Sequence, residues 1–234
     1  FTDFNPLEGL EEVTLRYVSS PRELANPDLI ILPGTKNTMG DLRWLRQSGL
    51  ESAILKHAAA GGGVVGICGG YQMLGRSISA PDGVEGGGSL AGLGLLPTET
   101  VFFGEKTRTR VSGQFDAMGG DFAAMAEVPF EGYEIHMGRT TGDIGFASLT
   151  RDGASSPDGM AAGSVWGSYV HGIFDKGEFA RAFVDCLLKA KGLEPAAEVE
   201  DWESYKARQY DILADGVRKA LDMDQIYRIL EEGI

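Results

Sequence analysis

The chain has 234 residues, of which 43% are hydrophobic, so it can bury the core of one large domain or two small ones. Its 21 lysines and arginines stand against 34 aspartates and glutamates, which gives a net charge of -13. Because phosphate recognition requires a positive surface, this balance argues against nucleic acid and against a basic membrane contact. No apolar run reaches the roughly 18 residues of a membrane span. Neither nucleic acid nor a membrane is therefore expected as a partner.

The first half of the chain predicts strands that alternate with helices. Val13, Leu15 and Tyr17 alternate with polar residues, which indicates a half-buried strand. The runs "DLIILPG" and "GGVVGIC" are typical of buried parallel strands. Between them, leucines at helical spacing predict a helix that Gly49 divides or kinks, and "GYQMLGRSI" predicts another helix. This order predicts an α/β fold with a mostly parallel central sheet flanked by helices.

The second half has a different texture, with antiparallel strands followed by helices. The segment "TVFFGEKTRTRVSGQF" alternates as an antiparallel strand pair would, and "GYEIHMGRT" and "GSVWGSYVHGIFD" predict further strands. The segment from Lys176 to Leu193 and the tail from Asp201 onward are strongly helical. We expect one compact domain over residues 1–234, with a C-terminal helical extension at residues 198–234.

The chain has two cysteines, far apart and without metal-ligand spacing, which fits neither a disulfide scaffold nor a zinc site. This usage is typical of a reducing compartment, and we expect a cytoplasmic location. Cys186 lies on an apolar helical face and is interpreted as core filling. Cys68 is different, because it lies between glycines where a predicted strand meets a predicted helix.

The pattern around Cys68, Gly66-x-Cys68-x-Gly70, is the thiol form of a nucleophile elbow. In that geometry the glycines tolerate the sharp turn, and the start of the helix favours the thiolate. The backbone N–H of Gly69 would then face a developing oxyanion. The alternative, a small buried cysteine packed between strand and helix, is less consistent with the flanking glycines.

A thiolate used in acyl transfer generally needs a histidine that moves protons, and the chain has three. His57 follows a surface-like helix and is interpreted as structural or solvated. His136 and His171 both end predicted strands, where catalytic groups of α/β folds collect. Spacing alone does not choose between these two. The glycines of "GGGVVG" precede a strand instead of following one, so they do not form a dinucleotide fingerprint, and no P-loop motif occurs.

Five segments taken together resemble the glutaminase half of the cobyric acid synthase family, a branch of the class I (triad-type) glutamine amidotransferases. In chain order they are "DLIILPGTKNTMGDL", "GICGGYQMLG", "GLGLLP", "GYEIHMGRT" and "YVHGIFD". The resemblance runs from about residue 28 to residue 192. It implies the flavodoxin-like fold of these amidotransferases, with some antiparallel strands beside the parallel sheet.

The resemblance also implies roles for individual residues. Cys68 would attack the side-chain amide of glutamine, and His171 would be its general base and acid. Gly34 and Thr35, in the "PGT" loop, would complete the oxyanion hole beside Gly69. The residues implied to contact the glutamine substrate are Gln72, Tyr133, Glu134 and His136. For His136, a hydrogen-bonded histidine at a strand end is an equally good interpretation.

One position departs from the common class I pattern. Common members carry a glutamate two residues after the catalytic histidine to orient it, and here that position is Ile173. The sequence therefore predicts a Cys–His dyad, as in the cobyric acid synthase branch, and a slow glutaminase in isolation. Full activity would then require alignment by a partner.

The partners are implied by the same resemblance. In the family, ammonia passes to a preceding synthetase domain, which uses ATP and Mg²⁺ to amidate corrin carboxylates. We therefore expect this chain to be the C-terminal half of a longer synthase, with "FTDFNPLEG" at the junction. No cofactor or metal is expected in the chain itself, and its own ligand would be glutamine.

Three other functions remain open at this stage. The same dyad would serve an amidotransferase for another acceptor, such as a cell-wall precursor. A non-catalytic docking module would keep the fold but has no need of Cys68 and His171 together. An α/β-hydrolase esterase is the weakest alternative, because no Ser–Asp–His order is evident.

Overall fold

A computed structural model describes residues 2–143, 145–195 and 200–233. The chain contacts divide it into two units, Phe1–Val199 and Glu200–Ile234. A C-terminal helical extension at residues 198–234 stays a prediction, and its first two residues, 198 and 199, lie outside the described residues.

The described residues form ten strands and seven helices in an α/β arrangement. The strands are β1 Leu29–Leu32, β2 Gly63–Ile67, β3 Ser77–Ala80, β4 Gly88–Ala91, β5 Thr98–Phe115, β6 Pro129–Gly142, β7 Ala147–Arg151, β8 Ala154–Asp158, β9 Met160–Ala162 and β10 Val165–Ser168. The helices are α1 Asn5–Glu8, α2 Thr38–Ser48, α3 Leu50–Ala59, α4 Gly69–Leu74, α5 Gly177–Ala190, α6 Trp202–Ala220 and α7 Met223–Glu232.

The first sheet has the strand order β1-β2-β10-β9. Strands β1, β2 and β10 are parallel, with Leu29 opposite Gly63 and Val165 opposite Val64, and β9 is an antiparallel edge. Every residue of β2 and β10 is buried, as the continuous apolar runs predict for strands covered on both faces. Helices α3 and α4 pack against β2. The predicted parallel sheet is confirmed.

The second sheet is antiparallel apart from one strand pair. Its order is β4-β3-β5-β7-β8, with β6 also paired to β5, and β3 runs parallel to β5. The segment predicted as a strand pair is the single 18-residue strand β5, so that prediction is wrong. The residues between Phe102 and Thr107 shift the register against β6 instead of turning back. A bulge of this kind accommodates extra residues within one strand, and in the sequence these residues resemble a hairpin turn.

The strand predicted at Val13, Leu15 and Tyr17 is also wrong. Val13 and Leu15 pack against the core, but the segment belongs to neither sheet. An alternating pattern indicates that one side of a segment is buried. It does not show that a neighbouring strand is available for pairing. Nearby, "PRELANP" forms a short 3-10 helix at Pro21–Glu23, which the side chain of Glu23 caps.

The helices predicted around Cys68 are confirmed in position, but the one that follows Cys68 is shorter than predicted. Gly49, with φ of 82°, divides α2 from α3 as its sequence position predicts. Helix α4 ends at Leu74, because the following residues cross into strand β3. The predicted helix after the last strand is α5, and it buries Cys186 in the core. An aromatic cluster fills this core: Phe115, Phe122, Phe130, Trp166, Phe179 and Phe183.

The second unit consists of helices α6 and α7. None of their side chains is fully buried, and both carry exposed apolar residues such as Leu213 and Leu230. In the part of the chain that the structure describes, no helix combines the length and the apolar character that crossing a membrane requires.

Candidate active site

Three loops meet at the carboxyl edge of the first sheet. The Pro33–Thr35 loop follows β1, Cys68 follows β2, and His171 comes three residues after β10. Since these strands are adjacent and parallel, the residues that follow them lie side by side. The fold therefore brings together the two predicted catalytic residues and the predicted oxyanion loop.

Cys68 sits on a strained turn between β2 and α4. Its φ of 50° and ψ of -107° lie outside the regions that non-glycine residues prefer. The turn needs small neighbours, because a Cβ on Gly70 would lie 1.9 Å from the carbonyl oxygen of Leu32. The thiol is 5% exposed, and its sulfur lies 3.7 Å from the carbonyl oxygen of Ile135. This geometry is that of a nucleophile elbow, as the glycine pattern predicts.

His171 is held by a carboxylate that the sequence did not reveal. Its Nδ1 lies 2.8 Å from Oδ2 of Asp3, and the other carboxylate oxygen of Asp3 accepts a hydrogen bond of 2.9 Å from the Gly172 N–H. Asp3 is 8% exposed. Because Nδ1 faces Asp3, the remaining ring nitrogen, Nε2, is left for Cys68, whose side chain is one of the groups that raise the pKa of the imidazole. The predicted dyad thus acquires a third group, although Ile173 is fully buried and apolar.

The N-terminal segment that carries Asp3 is anchored in the core. Phe4 is 2% exposed and Leu7 is 3% exposed. The ring of Phe4 packs at a centroid distance of 6.2 Å against Phe174, which lies three residues after His171. These contacts fix the carboxylate to the same turn that carries the histidine.

The charges around His171 favour its protonated form. Burial of the imidazole opposes the charge, but the hydrogen bonds with Asp3 and Cys68 and their negative charges outweigh burial and raise the pKa of His171 to about 9. Burial likewise opposes ionisation of Asp3, but the His171 hydrogen bond prevails and lowers the pKa of this carboxyl. At neutral pH the pair is therefore a carboxylate and an imidazolium.

Two residues confine the imidazole ring of His171 in space. Tyr133 stacks on it with ring centroids 5.2 Å apart and an interplanar angle of 15°. The backbones of Tyr133 and His171 also pair, through N–H to oxygen distances of 3.0 and 2.8 Å. Near the ring edge, a Cβ on Gly34 would lie 2.5 Å from Cε1 of the histidine. Packing against Tyr133 and close to Gly34 restricts the ring.

The predicted oxyanion loop lies against the elbow. A Cβ on Gly69 would approach the Thr35 side chain to 2.4 Å and the Thr35 backbone nitrogen to 3.1 Å. Gly69 is the first residue of α4, so its N–H has no partner within the helix. The side chain of Thr35 donates a hydrogen bond to Asp41, and Asn37 caps α2 by accepting from the Gly40 N–H at 2.8 Å. Gly34, Thr35 and Gly69 are thus neighbours at the site.

Gln72 is part of the wall of the site. It is 2% exposed, its Oε1 accepts a hydrogen bond of 3.0 Å from Thr38, and its Nε2 donates one of 3.2 Å to Tyr169. The Tyr169 hydroxyl lies 2.7 Å from that of Thr140 on β6. This buried network joins α4 to both sheets. A direct contact of Gln72 with substrate stays a prediction.

His136 and Glu134 have partners within the second sheet. Nδ1 of His136 lies 2.8 Å from the carbonyl oxygen of Gly138, and its ring stacks on Tyr169 at 3.8 Å. Glu134 is 1% exposed and forms a double hydrogen bond with Arg151, at 2.5 and 2.7 Å. Burial opposes its charge, but the Arg151 hydrogen bonds outweigh burial and lower the pKa of Glu134 to about 2. The substrate contacts predicted for both residues, and for Tyr133, stay predictions.

A buried carboxyl supports the turn that leads to His171. Asp158, at the end of β8, accepts hydrogen bonds from the Ser168 hydroxyl at 2.6 Å and the Tyr169 N–H at 3.2 Å. The Ser168 hydroxyl oxygen accepts in turn from the Val170 N–H at 3.1 Å. Burial raises the pKa of Asp158. This chain of bonds fixes the backbone immediately before His171.

His57 lies away from this site. Its Nε2 is 3.1 Å from the carbonyl oxygen of Gly63, which begins β2, whereas Cys68 follows the opposite end of the strand. Its interpretation as a structural histidine agrees with this position. Among the described residues, no group of three or more His, Cys, Asp or Glu side chains is arranged to hold a metal ion.

Asp3 is the functional residue that sequence reasoning missed. It stands 168 positions from its histidine, and no spacing rule connects the two. The one local signal is its place between Phe1 and Phe4, in a segment whose pattern predicts a domain junction.

Comparisons with known proteins show the family to which the chain belongs. The family model described as a CobB/CobQ-like glutamine amidotransferase domain matches residues 1–179. Over its whole length, the chain is 52% identical to a cobyric acid synthase of Ruminiclostridium cellulolyticum and 44% identical to one of Lachnoclostridium phytofermentans. It covers 47% and 48% of those two proteins, so it spans about half the length of the curated relatives it matches.

Solved structures give the same fold at lower identity. A crystal structure of a glutamine amidotransferase aligns with a TM-score of 0.54 and 18% identity, covering 82% of this chain and 92% of that one. The PurLQS structure from Thermotoga maritima aligns with a TM-score of 0.50 and 18% identity, covering 72% of this chain and 82% of that one.

Proposed function

The chain belongs to the family of CobB/CobQ-like glutamine amidotransferase domains, and we propose that it hydrolyses glutamine to supply ammonia for the amidation of corrin carboxylates. The observation that carries the proposal is the alignment of Cys68, His171 and Asp3 at the carboxyl edge of the first sheet. A thiol on an elbow, an imidazole and an orienting carboxylate are the parts that cysteine-based acyl transfer requires.

The first half of the reaction forms a thioester. The Cys68 sulfur, with its proton held by His171, attacks the side-chain amide carbon of glutamine. The carbon–nitrogen bond then breaks, and the imidazolium gives its proton to the leaving nitrogen, so that ammonia departs and a glutamyl thioester remains. Because the surroundings of His171 favour the protonated ring, the acid needed for this departure is present at neutral pH.

The second half returns the enzyme to its starting state. Neutral His171 takes a proton from water as that water attacks the thioester carbon, and the carbon–sulfur bond breaks to release glutamate. In both halves a negative charge develops on the former amide oxygen. The Gly69 N–H and the backbone around Gly34 and Thr35 are suited to stabilise it, because they lie beside the elbow.

Asp3 acts on His171 and does not touch the reacting atoms. By accepting the hydrogen bond from Nδ1, it selects the ring orientation in which Nε2 faces the thiol, and it stabilises the imidazolium that forms. We therefore assign Asp3 as a positioning residue. Tyr133 and Gly34 support the same ring orientation by packing.

The proposal also covers the acceptor of the ammonia and the energy source for the amidation. The relatives named cobyric acid synthase are about twice as long as this chain. We propose that the additional part is an ATP- and Mg²⁺-dependent synthetase, which activates the corrin carboxylates and receives the ammonia in the cytoplasm. The chain itself would then need glutamine and no cofactor. The acidic surface, with a net charge of -13, agrees with an amidotransferase that binds no nucleic acid.

The direct test is covalent labelling with an electrophilic glutamine analogue, such as a diazo-ketone, followed by intact-mass measurement and peptide mapping. We expect one label per chain, on Cys68, and protection by excess glutamine. The Cys68→Ser variant should take no label, whereas Cys186→Ser, which removes the core cysteine, should label as the unchanged chain does. Labelling elsewhere, or labelling that glutamine does not slow, would contradict the proposed function.

A further inference from the structure

The first sheet has an open edge at β1. Strand β1 pairs with β2 through the register Leu29 to Gly63, and no described strand pairs with its other side. An edge strand presents a row of backbone N–H and C=O groups, and proteins usually cover such an edge or add a strand to it. Along this strand Ile30 and Leu32 are buried, and Leu29 and Ile31 are partly buried.

A cavity separates this edge from the chain that faces it. The cavity has a volume of about 500 Å³ and is lined by every residue from Glu12 to Val18 on one wall and from Asp28 to Ile31 on the other. We call it the strand slot. Because consecutive residues line each wall, two stretches of chain run along the cavity. These are the edge strand and the segment whose alternation predicts a strand.

The remaining sides of the strand slot are apolar. Helix α5 contributes Phe183 and Leu187, and the N-terminal segment contributes Phe4 and Leu7. Phe4 and Leu7 are the anchors of the segment that positions Asp3. An occupant of the slot would therefore touch the support of the catalytic histidine without entering the active site.

We propose that the strand slot receives an extended apolar peptide strand, which pairs with β1 and completes the first sheet. Only a peptide satisfies both features of the slot, because its backbone would pair with the open edge while alternate side chains fill the apolar space. A small apolar ligand would leave the edge N–H and C=O groups of β1 without partners. A strand on this side would also give the Glu12–Val18 segment the neighbour that its alternating pattern calls for.

The relatives of the chain supply a candidate source for this strand. This chain corresponds to the C-terminal half of the cobyric acid synthase relatives. Asp3 lies at the carboxyl edge of the first sheet, beside His171. A strand that leads directly into the residues around Asp3 must run toward that edge, so it would be parallel to β1. We therefore assign the slot to the segment that precedes the shared region in those relatives.

The experiment adds that segment to the chain. The ten residues that directly precede the shared region in the Ruminiclostridium cellulolyticum relative are fused to residue 1, and a second fusion carries the same ten residues in scrambled order. We expect the first fusion to raise the Tm by about 5 °C or more, which corresponds to about 1–3 kcal/mol in a domain of this size. Amide hydrogen exchange at Leu29–Leu32 should slow at least tenfold in the first fusion and not in the second.

A matched variant locates the effect in the strand slot. Leu15→Asp places a charge on the partly exposed wall opposite β1, and it should remove the protection and the Tm gain of the fused strand. Lys36→Asp, on an exposed residue outside the slot, should leave both unchanged.

Three outcomes would overturn the proposal. Equal Tm and equal exchange for the two fusions would show that no strand is taken up. Concentration-dependent protection of Leu29–Leu32 in the unextended chain would mean that a second copy fills the slot. A small molecule retained in native mass spectra and displaced by Leu15→Asp would assign the slot to that ligand. None of these readouts depends on glutamine hydrolysis, so the test is independent of the proposed function.

Discussion

The two sheets contribute differently to the candidate site. The first sheet carries Cys68 and His171 on loops that follow adjacent parallel strands. The second sheet contributes β6, which places the Ile135 carbonyl oxygen against the Cys68 sulfur, the Tyr133 ring against His171 and the His136 ring against Tyr169. The groups proposed to exchange bonds and protons thus belong to the first sheet, and the groups that enclose them belong to the second.

This difference predicts that a substitution will affect different properties of the protein, depending on which sheet carries the substituted residue. Loss of a reacting group in the first sheet removes steps of the reaction, and loss of an enclosing group in the second sheet weakens binding or stability. Four experiments test that division.

The largest loss is expected for His171→Ala. The variant has no group to move protons to and from the thiol, so kcat/KM for glutamine hydrolysis should fall by about 10³-fold or more. The measurement is glutamate release under steady-state conditions. His57→Ala is the matched control, because that histidine lies at the other end of β2, and its kcat/KM should remain unchanged. Similar losses in the two variants would remove His171 from the mechanism.

A smaller loss is expected for Asp3→Asn, on the order of 10²-fold in kcat/KM, since the thiol ionises more readily than the hydroxyl of serine enzymes and depends less on the orienting carboxylate. The pH dependence gives a second readout. The folded protein keeps His171 protonated up to a pKa of about 9, so the imidazolium form is lost above that pH. Without the negative charge of Asp3, the upper limb of the pH profile should move down by at least about one unit.

The pH profile of Cys68 alkylation by iodoacetamide measures this shift without glutamine. Glu8→Gln removes an exposed charge from the same N-terminal segment and is the control. An unshifted profile in Asp3→Asn would contradict the positioning role, even if glutamine hydrolysis itself were confirmed.

In the second sheet, His136→Ala should act mainly on substrate binding. The imidazole is bonded to Gly138 and stacked on Tyr169, and among the described residues no hydrogen bond or ring contact joins it to Cys68 or His171. Loss of one hydrogen-bonding group predicts about a tenfold rise in KM with little change in kcat. Thr107→Ala alters the exposed residue paired with His136 across the β5–β6 ladder and should leave KM unchanged. A loss confined to kcat would place His136 in the reaction.

The smallest effect on activity, and a clear effect on stability, is expected for Glu134→Gln. The pKa of Glu134 is about 2, below its unfolded value, so its ion pair with Arg151 stabilises the fold above the unfolded pKa. That contribution, about 3 kcal/mol, should disappear as the pH falls from about 4.5 to about 2. Urea unfolding at pH 7 and pH 2.5 should therefore show a large difference between variant and unchanged chain at the first pH and little at the second.

Glu131→Gln is the control for this measurement. Glu131 lies on the same strand and pairs with Lys176 at 3.3 Å, but its side chain is 64% exposed, so its loss should hardly change the unfolding free energy. An equal effect of the two substitutions would mean that burial does not strengthen the Glu134 pair.

The sequence predicts those parts of the site that depend on local pattern, and it does not predict those that depend on long-range packing. Cys68 and His171 follow apolar strands directly, so local pattern and the rule for parallel sheets bring them to one edge. The Asp3–His171 hydrogen bond spans 168 residues, and it depends on how Phe4 packs against Phe174. No local pattern encodes that contact.

The errors in predicted strands have physical causes of the same kind. The length of β5 depends on a bulge near Gly104, where the sequence alone suggests a turn. The segment from Glu12 to Val18 has the pattern of a strand, but its pairing depends on a neighbour beyond the residues of this chain, if the strand slot is filled as proposed. Which strands pair depends on the tertiary structure, whereas side-chain alternation depends only on the local sequence.

The positive φ of Cys68 implies a trade-off between stability and catalysis. Holding a non-glycine residue in such a conformation costs about 1–3 kcal/mol, and glycine would adopt it without that strain. Under the proposed mechanism, selection for hydrolysis maintains the cysteine against a more stable replacement. In a lineage released from that selection, glycine at position 68 would be favoured by folding alone. Glycine at the corresponding position of a relative would therefore indicate that this relative has lost the ability to hydrolyse glutamine.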